Sequence, residues 1–345
     1  MNKIAKFMGL LVALSLVIGL VAGCGNSNSD SADNGKKLTS VRLQLKWLPS
    51  AQFMGFYYAK EKGYYAEEGI DVDFIPGGPD IVATNQVSVG AAEFGIANLY
   101  SILPFEEQGH PITEVGQIFQ KSSFMLVSKK DKGINSPKDL AGKKVGAWLG
   151  TAEYPIYALL DKYGLNKDKD LMLVKQDNSM DAFLNGSIDV ASAHTYNEYL
   201  VLLESGLAAS DLNVIDLEQE GSGMLEDCLI ANTEWLANNP EVAAKFMRAT
   251  MRGWAEACKD PEGATEIVWK YLDHSSNNKA HQLAFAKEIA KLVMPQGITT
   301  DKICYLDEKS IKATEDLALK YKIIKKLPEK VYDKQPWEQA AKSLQ

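Results

Sequence analysis

The chain has 345 residues, 46% of them hydrophobic, with 37 basic against 45 acidic side chains and a net charge of −8. That length suits two domains or one large one, and an acidic balance without a basic cluster argues against a nucleic-acid partner. Four cysteines and four histidines at scattered spacings make neither a disulfide framework nor a metal centre.

At the start, Lys3 and Lys6 precede an apolar run, Met8 to Val21, with the shape of a signal-peptide core and short for a bilayer span. Leu20-Val21-Ala22-Gly23-Cys24 puts small residues directly before a cysteine and resembles a bacterial lipobox. Residues 1–23 are therefore expected to be cleaved and Cys24 lipidated, with a plain secretory signal as the alternative. Residues 24–40 are rich in Ser, Asn, Asp and Gly, bury nothing, and are expected to be a flexible tether. Such a lipid anchors without spanning, on the extracytoplasmic face of a bacterial membrane.

The stretch from Leu43 to Asp80 organises the rest. Val41, Leu43 and Leu45 alternate with Arg42, Gln44 and Lys46, the period of a half-buried strand. Pro49 breaks that pattern, a helix is expected from Ala51 to Glu61, and Gly63 is placed to end it in a left-handed turn. Ile70, Val72 and Phe74 alternate again before Pro76-Gly77-Gly78-Pro79 closes the unit. Trp47, Gln52, Phe53, Tyr57 and Tyr58 fall after the first strand, where open α/β sheets place their ligands.

Helix and strand alternate through the remainder of the chain, the pattern of an α/β protein with largely parallel sheets. Phe94 to Ala97 is expected to be a strand delivering Asn98, Tyr100 and Ser101, and Phe124–Val127 another. Ser136 followed by Pro137 reads as a capped helix start. Lys144 to Trp148 is a strand, Tyr154 to Tyr163 a helix, and Leu171 to Val174 a strand. Gly90 to Tyr100 then aligns without a gap on Gly186 to Tyr196, with glycine, acid, alanine and tyrosine coinciding. Each copy follows its own strand–helix–strand unit, which implies two similar lobes facing one another across a cleft. The expected division is 41–127 plus 228–345 for the first lobe and 128–227 for the second. Phe246, Met247, Thr250 and Trp254 recur at helical spacing and belong to a core face.

The sequence contains no Gly-x-Ser-x-Gly, no phosphate-binding Gly-x-x-x-x-Gly-Lys, no Gly-x-Gly-x-x-Gly and no His-Glu-x-x-His, and Cys228 beside Glu226 and Asp227 is not activated as a nucleophile. The cleft is expected to offer Trp47, Gln52, Phe53, Asn98, Trp148, Glu153, Tyr154, Tyr196, Asn197, Glu198 and Glu226, together with Asp227. Aromatic faces stack on flat rings, and amides and carboxylates read their hydrogen-bonding edges. Lys46 and Arg42 are the only nearby cations that a small anion could use.

On these residues, the chain resembles the extracytoplasmic substrate-binding proteins of ABC importers. Within them it is similar to the branch related to thiamine pyrimidine synthase and to nitrate, taurine and aliphatic sulfonate binders. The resemblance covers Val41 to Tyr271 and is carried by Lys46-Trp47-Leu48-Pro49, by Gln52-Phe53, by the run from Ala59 to Val72, and by Pro76 to Asp80. It implies an α/β, type II periplasmic-binding-protein fold: two lobes, a hinge and a central cleft, closing on a small molecule without chemistry or cofactor. The partners it implies are a permease and an ATPase, with a monomeric binding protein. The synthase's cofactor lysine and consumed histidine fall here on Ala97 and Ser101, and its cysteine-rich motif leaves only Cys228, so the resemblance does not extend to synthase activity. Trp47 matches the branch's ring-stacking tryptophan. Two heteroaromatic ligands are implied, a formylated aminopyrimidine salvaged for thiamine or riboflavin, the larger ring sandwiched by Trp148, Tyr154 and Tyr196. A small anion such as a sulfonate remains the alternative, ahead of a synthase-like enzyme.

Overall fold

A computed structural model of the chain describes residues 38–149, 152–177 and 179–343, so the expected signal peptide and Cys24 lie outside the described residues. Ten strands are assigned: β1 (Thr39–Gln44), β2 (Ile70–Ile75), β3 (Phe94–Ala97), β4 (Ile112–Gln117), β5 (Phe124–Lys129), β6 (Lys144–Ala147), β7 (Met172–Lys175), β8 (Val190–His194), β9 (Leu212–Asp216) and β10 (Cys228–Asn232). They form two five-stranded sheets, ordered β2-β1-β3-β10-β4 and β7-β6-β8-β5-β9. The two orders are the same topology written twice. In each, three parallel strands come from a continuous stretch and one antiparallel strand from outside it: β10, after the second sheet's strands, beside β3, and β5, just ahead of β6, beside β8.

The expected alternation in β1 holds, with Val41, Leu43 and Leu45 wholly buried. After it, the expected helix begins as a tight turn at Ala51–Phe53 and continues as Met54–Glu61. Ser50 caps the turn by accepting from the Gln52 N–H at 3.4 Å. Gly63 has φ 79°, the left-handed conformation expected of it. Gly77 passes over the end of β1 so closely that a Cβ there would sit 2.4 Å from the Leu45 carbonyl oxygen. The repeated segment contributes β3 and β8, which hold equivalent places in the two sheets.

Two expectations change. Phe124–Val127, assigned to the first lobe, lies in β5 and pairs with β8 and β9 of the second sheet, so the chain crosses between lobes earlier than expected. Ser136 opens only a single tight turn, Pro137–Leu140, tied by its own N–H donating to Asp139 at 2.8 Å.

Each sheet is covered on both faces, which is why its inner strands β10 and β5 read as apolar runs. The largest core gathers Val41, Phe53, Tyr65, Phe94 and Phe246 around the long helix Pro240–Lys259, where Phe246, Met247, Thr250 and Trp254 are all fully buried. That helix crosses Met54–Glu61 at glycine on glycine: a Cβ on Gly253 would lie 2.4 Å from the Gly55 carbonyl oxygen. The helices Glu308–Lys320 and Gln335–Lys342 pack on the first lobe, as expected of the C-terminal part.

Under the first lobe, Glu106 and Glu114 bury both carboxylate oxygens without a hydrogen-bond partner among the described residues. Burial pushes Glu114 up to about 8 and Glu106 up to about 10, so both are protonated in the fold at neutral pH.

This packing generates two expected outcomes. Gly253→Ala should lower stability by about 1–3 kcal/mol, read by chemical denaturation, because helix backbone blocks the added methyl. Above the ordinary carboxylate range the unfolded chain releases the two protons that the fold retains, so stability should fall as pH rises from 5 to 8. Thermal unfolding midpoints of the Glu106→Gln/Glu114→Gln variant should show a shallower fall than wild type over that window.

Candidate functional site

Strand ends determine what meets at the centre. β1 delivers Lys46 and Trp47, and β3 delivers Asn98 and Tyr100. Lys46 Nζ donates to Asn98 Oδ1 at 2.9 Å and forms an ion pair with Asp227, and the Asn98 amide donates to the Tyr100 hydroxyl at 2.9 Å. Gln52 completes the group by donating to both Asp227 oxygens, at 2.9 and 3.2 Å. Asp227 has φ 36° although it carries a side chain, a conformation held only where the surroundings dictate it. Its carbonyl oxygen accepts from the Ile118 and Phe119 N–H groups, stitching the outgoing crossover to the returning one.

The neighbouring Glu226 repeats this at the second crossover. Its carboxylate accepts from Ser122 Oγ at 3.0 Å, from the Ser123 N–H at 3.2 Å and from Ser123 Oγ. Ser123 Oγ also lies 2.8 Å from His194 Nδ1, at the end of β8. Burial raises both Asp227 and Glu226; Lys46 opposes the rise at Asp227, and Ser123 and then Lys46 oppose it at Glu226. The Tyr100 hydroxyl is pushed far up by burial and by Glu226, Glu153 and Asp227, so groups from both lobes act on one point.

The second lobe contributes a column of rings. Trp148 and Tyr196 do face one another, but His194 occupies the space between them, 5.1 Å from each and within 11° of parallel. Of the three rings expected to sandwich a flavin, Trp148, Tyr154 and Tyr196, the first and last have an imidazole stacked on them. Phe124 meets both Trp148 and His194 at 5.5 Å, and Phe285 of the first lobe stacks on Tyr196 at 4.9 Å. Tyr196 also meets Phe119 edge-on at 5.7 Å, so it packs into the first lobe's core.

The other expected residues divide by what they touch. Phe53 is wholly buried in the first lobe's core and presents no surface. Tyr154 is half-buried and meets Tyr157 edge-on. Asn197 and Glu198 spend their polar atoms nearby: Glu198 accepts from the His194 N–H at 2.9 Å and the Asn197 amide at 2.8 Å, while His281 reaches Asn197 Oδ1 at 3.1 Å. Glu153, ahead of the helix Tyr154–Lys162, is 8% exposed, and its Oε2 has no hydrogen-bond partner among the described residues. Trp47 is half-buried against the first lobe's core and stacks on no other ring among the described residues.

Ser122, Ser123 and His194 belong to this centre and were not among the expected site residues. The internal alignment held a signal for one of them, since His194 falls on Asn98 just as Tyr196 falls on Tyr100. Nothing in the local sequence marks the two serines, which reach Glu226 only because the two crossovers run side by side.

Comparisons with known proteins bear on the same region. A family model described as NMT1/THI5 like matches residues 50–264. Among curated relatives, the riboflavin-binding protein RibY of Chloroflexus aurantiacus is 27% identical over 244 residues, covering 68% of this chain and 67% of that protein. The formylaminopyrimidine-binding protein of Halalkalibacterium halodurans is 25% identical over 269 residues, 77% of this chain and 80% of that one. A 4-amino-5-hydroxymethyl-2-methylpyrimidine phosphate synthase of Aspergillus parasiticus is 29% identical over 244 residues, 68% of this chain and 70% of that enzyme. Among solved structures, the periplasmic aliphatic sulphonate binding protein of Escherichia coli matches with a TM-score of 0.63 at 15% identity, covering 87% of this chain and 91% of that one. The periplasmic nitrate-binding protein of Synechocystis gives 0.64 at 12% identity and 90% of each chain. These structural likenesses fix the periplasmic-binding-protein fold.

Removing one member of the buried ion pair strands the other. Lys46→Met should cost about 3 kcal/mol in denaturant titrations, and adding Asp227→Asn to it should restore part of that loss, giving a coupling energy between the two sites.

Proposed function

The chain belongs to the NMT1/THI5-like family, and from that premise we propose that it is the extracytoplasmic substrate-binding component of an ABC importer, capturing an amino-substituted heteroaromatic molecule by lobe closure. The observation that carries the ligand class is the buried Oε2 of Glu153, without a hydrogen-bond partner among the described residues, which calls for a donor. Glu153, Glu226 and Asp227 all act on the Tyr100 hydroxyl, and Lys46 is the cation paired within that group. Such a centre repels a sulfonate or nitrate and attracts N–H groups or a protonated ring nitrogen. An aminopyrimidine offers both. Riboflavin presents mostly carbonyl oxygens and bare ring nitrogens, so it is the poorer match to an acceptor-lined site. This ordering agrees with the ligand named for the Halalkalibacterium relative, while the Chloroflexus relative is named for riboflavin.

Because His194 fills the gap between Trp148 and Tyr196, the ring face left for the ligand is Trp47. Gln52 and Asn98 position Asp227 and Lys46 around it, and Glu153 closes from the second lobe. Capture is a shift of population toward the closed form, with no bond made or broken. The buried thiol of Cys228 donates to the Ala97 carbonyl at 3.3 Å, and burial raises it well above its ordinary range, which favours binding over chemistry even though some relatives are synthases. Among the described residues no helix is long and apolar enough to cross a membrane. Membrane attachment is assigned to the lipid on Cys24, and a permease with its ATPase to the partners of the monomer.

Calorimetric titration of the mature chain tests the reading. A formylated aminopyrimidine should bind at micromolar concentration or tighter, riboflavin more weakly, and an alkanesulfonate not at all; sulfonate binding alone would overturn it. Trp47→Ala and Glu153→Gln should each weaken the aminopyrimidine about tenfold or more, consistent with a stacking face and a charged acceptor.

A further inference from the structure

His194 is held on three sides. Its ring is stacked between Trp148 and Tyr196, and its Nδ1 lies 2.8 Å from Ser123 Oγ. The Ser123 hydroxyl also bonds Glu226 and has one proton to give. Burial raises Glu226, but the Ser122 hydroxyl and the Ser123 N–H both donate to its oxygens and the Lys46 charge opposes the rise, which favours the carboxylate. The serine proton therefore points to Glu226, and the serine oxygen is left to accept from the imidazole. Burial keeps that imidazole neutral, with its pKa lowered to about 4. A neutral ring with its proton on Nδ1 has a bare lone pair on Nε2. Nε2 makes no hydrogen bond among the described residues, and the side chain retains 19% of its exposure.

We propose that His194 is a specificity-determining residue: the Ser123–Glu226 relay fixes its imidazole as the Nδ1–H tautomer, and Nε2 reads an N–H edge of the bound ring. This rests on the heteroaromatic ligand class inferred above and narrows it. An amino group donates to the bare nitrogen, whereas a carbonyl in the same place sets lone pair against lone pair. Ser123 and Glu226 act through the imidazole and are positioning residues. The relay also accounts for an imidazole where a third large aromatic would fill the same space: among aromatic side chains only a neutral histidine stacks while presenting a ring-nitrogen lone pair.

Nitrogen-15 correlation spectra of the ligand-free, histidine-labelled chain, which has four histidines to assign, read the tautomer directly. His194, assigned by its loss in His194→Phe, should be protonated on Nδ1 and unchanged between pH 6 and 8. Ser123→Ala should release that preference, and Ser123→Thr, which keeps the hydroxyl, should retain it. In parallel, wild type should prefer an aminopyrimidine to its oxo counterpart by about tenfold or more, on the order of 1.4 kcal/mol, and Ser123→Ala should lose most of that preference. An Nε2–H tautomer, or equal discrimination by wild type and Ser123→Ala, overturns the role even if aminopyrimidine binding is intact. Should no ring compound bind at all, the ligand class and the recognition role fall together.

Discussion

The ion pair between Lys46 and Asp227 is the contact on which the centre depends. Two carboxylates, Glu226 and Asp227, are buried side by side at the crossover, and each would favour its neutral form if nothing opposed burial. Lys46 comes from the end of the first strand, so the charge that offsets them is supplied by the opening unit of the fold. Removing the cation would leave Gln52 and the two serines to hold two buried acids. The positive φ of Asp227 is part of the same arrangement, because it turns the carboxylate toward Lys46 while its carbonyl ties both crossovers together. The structural ties and the proposed recognition role therefore share one set of atoms.

That sharing explains why the fold is easier to read than the site. Alternation in Val41, Leu43 and Leu45, the left-handed Gly63 and the long apolar face ending at Trp254 are local patterns, and each appears where expected. The duplicated segment carries the two-lobe plan, since β3 and β8 must occupy matching positions if the copies fold alike. β5 joins the sheet opposite to the expected one because an apolar strand carries no label for the sheet it will enter. Its neighbours, β8 and β9, lie far along the chain.

Site residues are legible by position and less so by partner. Trp47, Asn98, Tyr196 and Glu226 lie just beyond strands, and Gln52 and Glu153 at helix starts, but Phe53, beside Gln52, turns wholly into the core. One residue of rotation in a short helical turn decides between those fates, and composition does not record it. Similarly, Trp148 and Tyr196 both stack on a ring, but that ring is His194. The relay through Ser123 requires the crossovers to be adjacent, a tertiary fact with no local signature.

The central claim is that ligand is held between the lobes at the crossover acids, and hydrogen–deuterium exchange with and without a formylated aminopyrimidine tests it most directly. The account predicts added protection in four separated segments at once: Lys46 to Gln52, Asn98 to Ser101, His194 to Asn197 and Leu225 to Cys228. Protection confined to one lobe, with Leu225 to Cys228 unchanged, would contradict it.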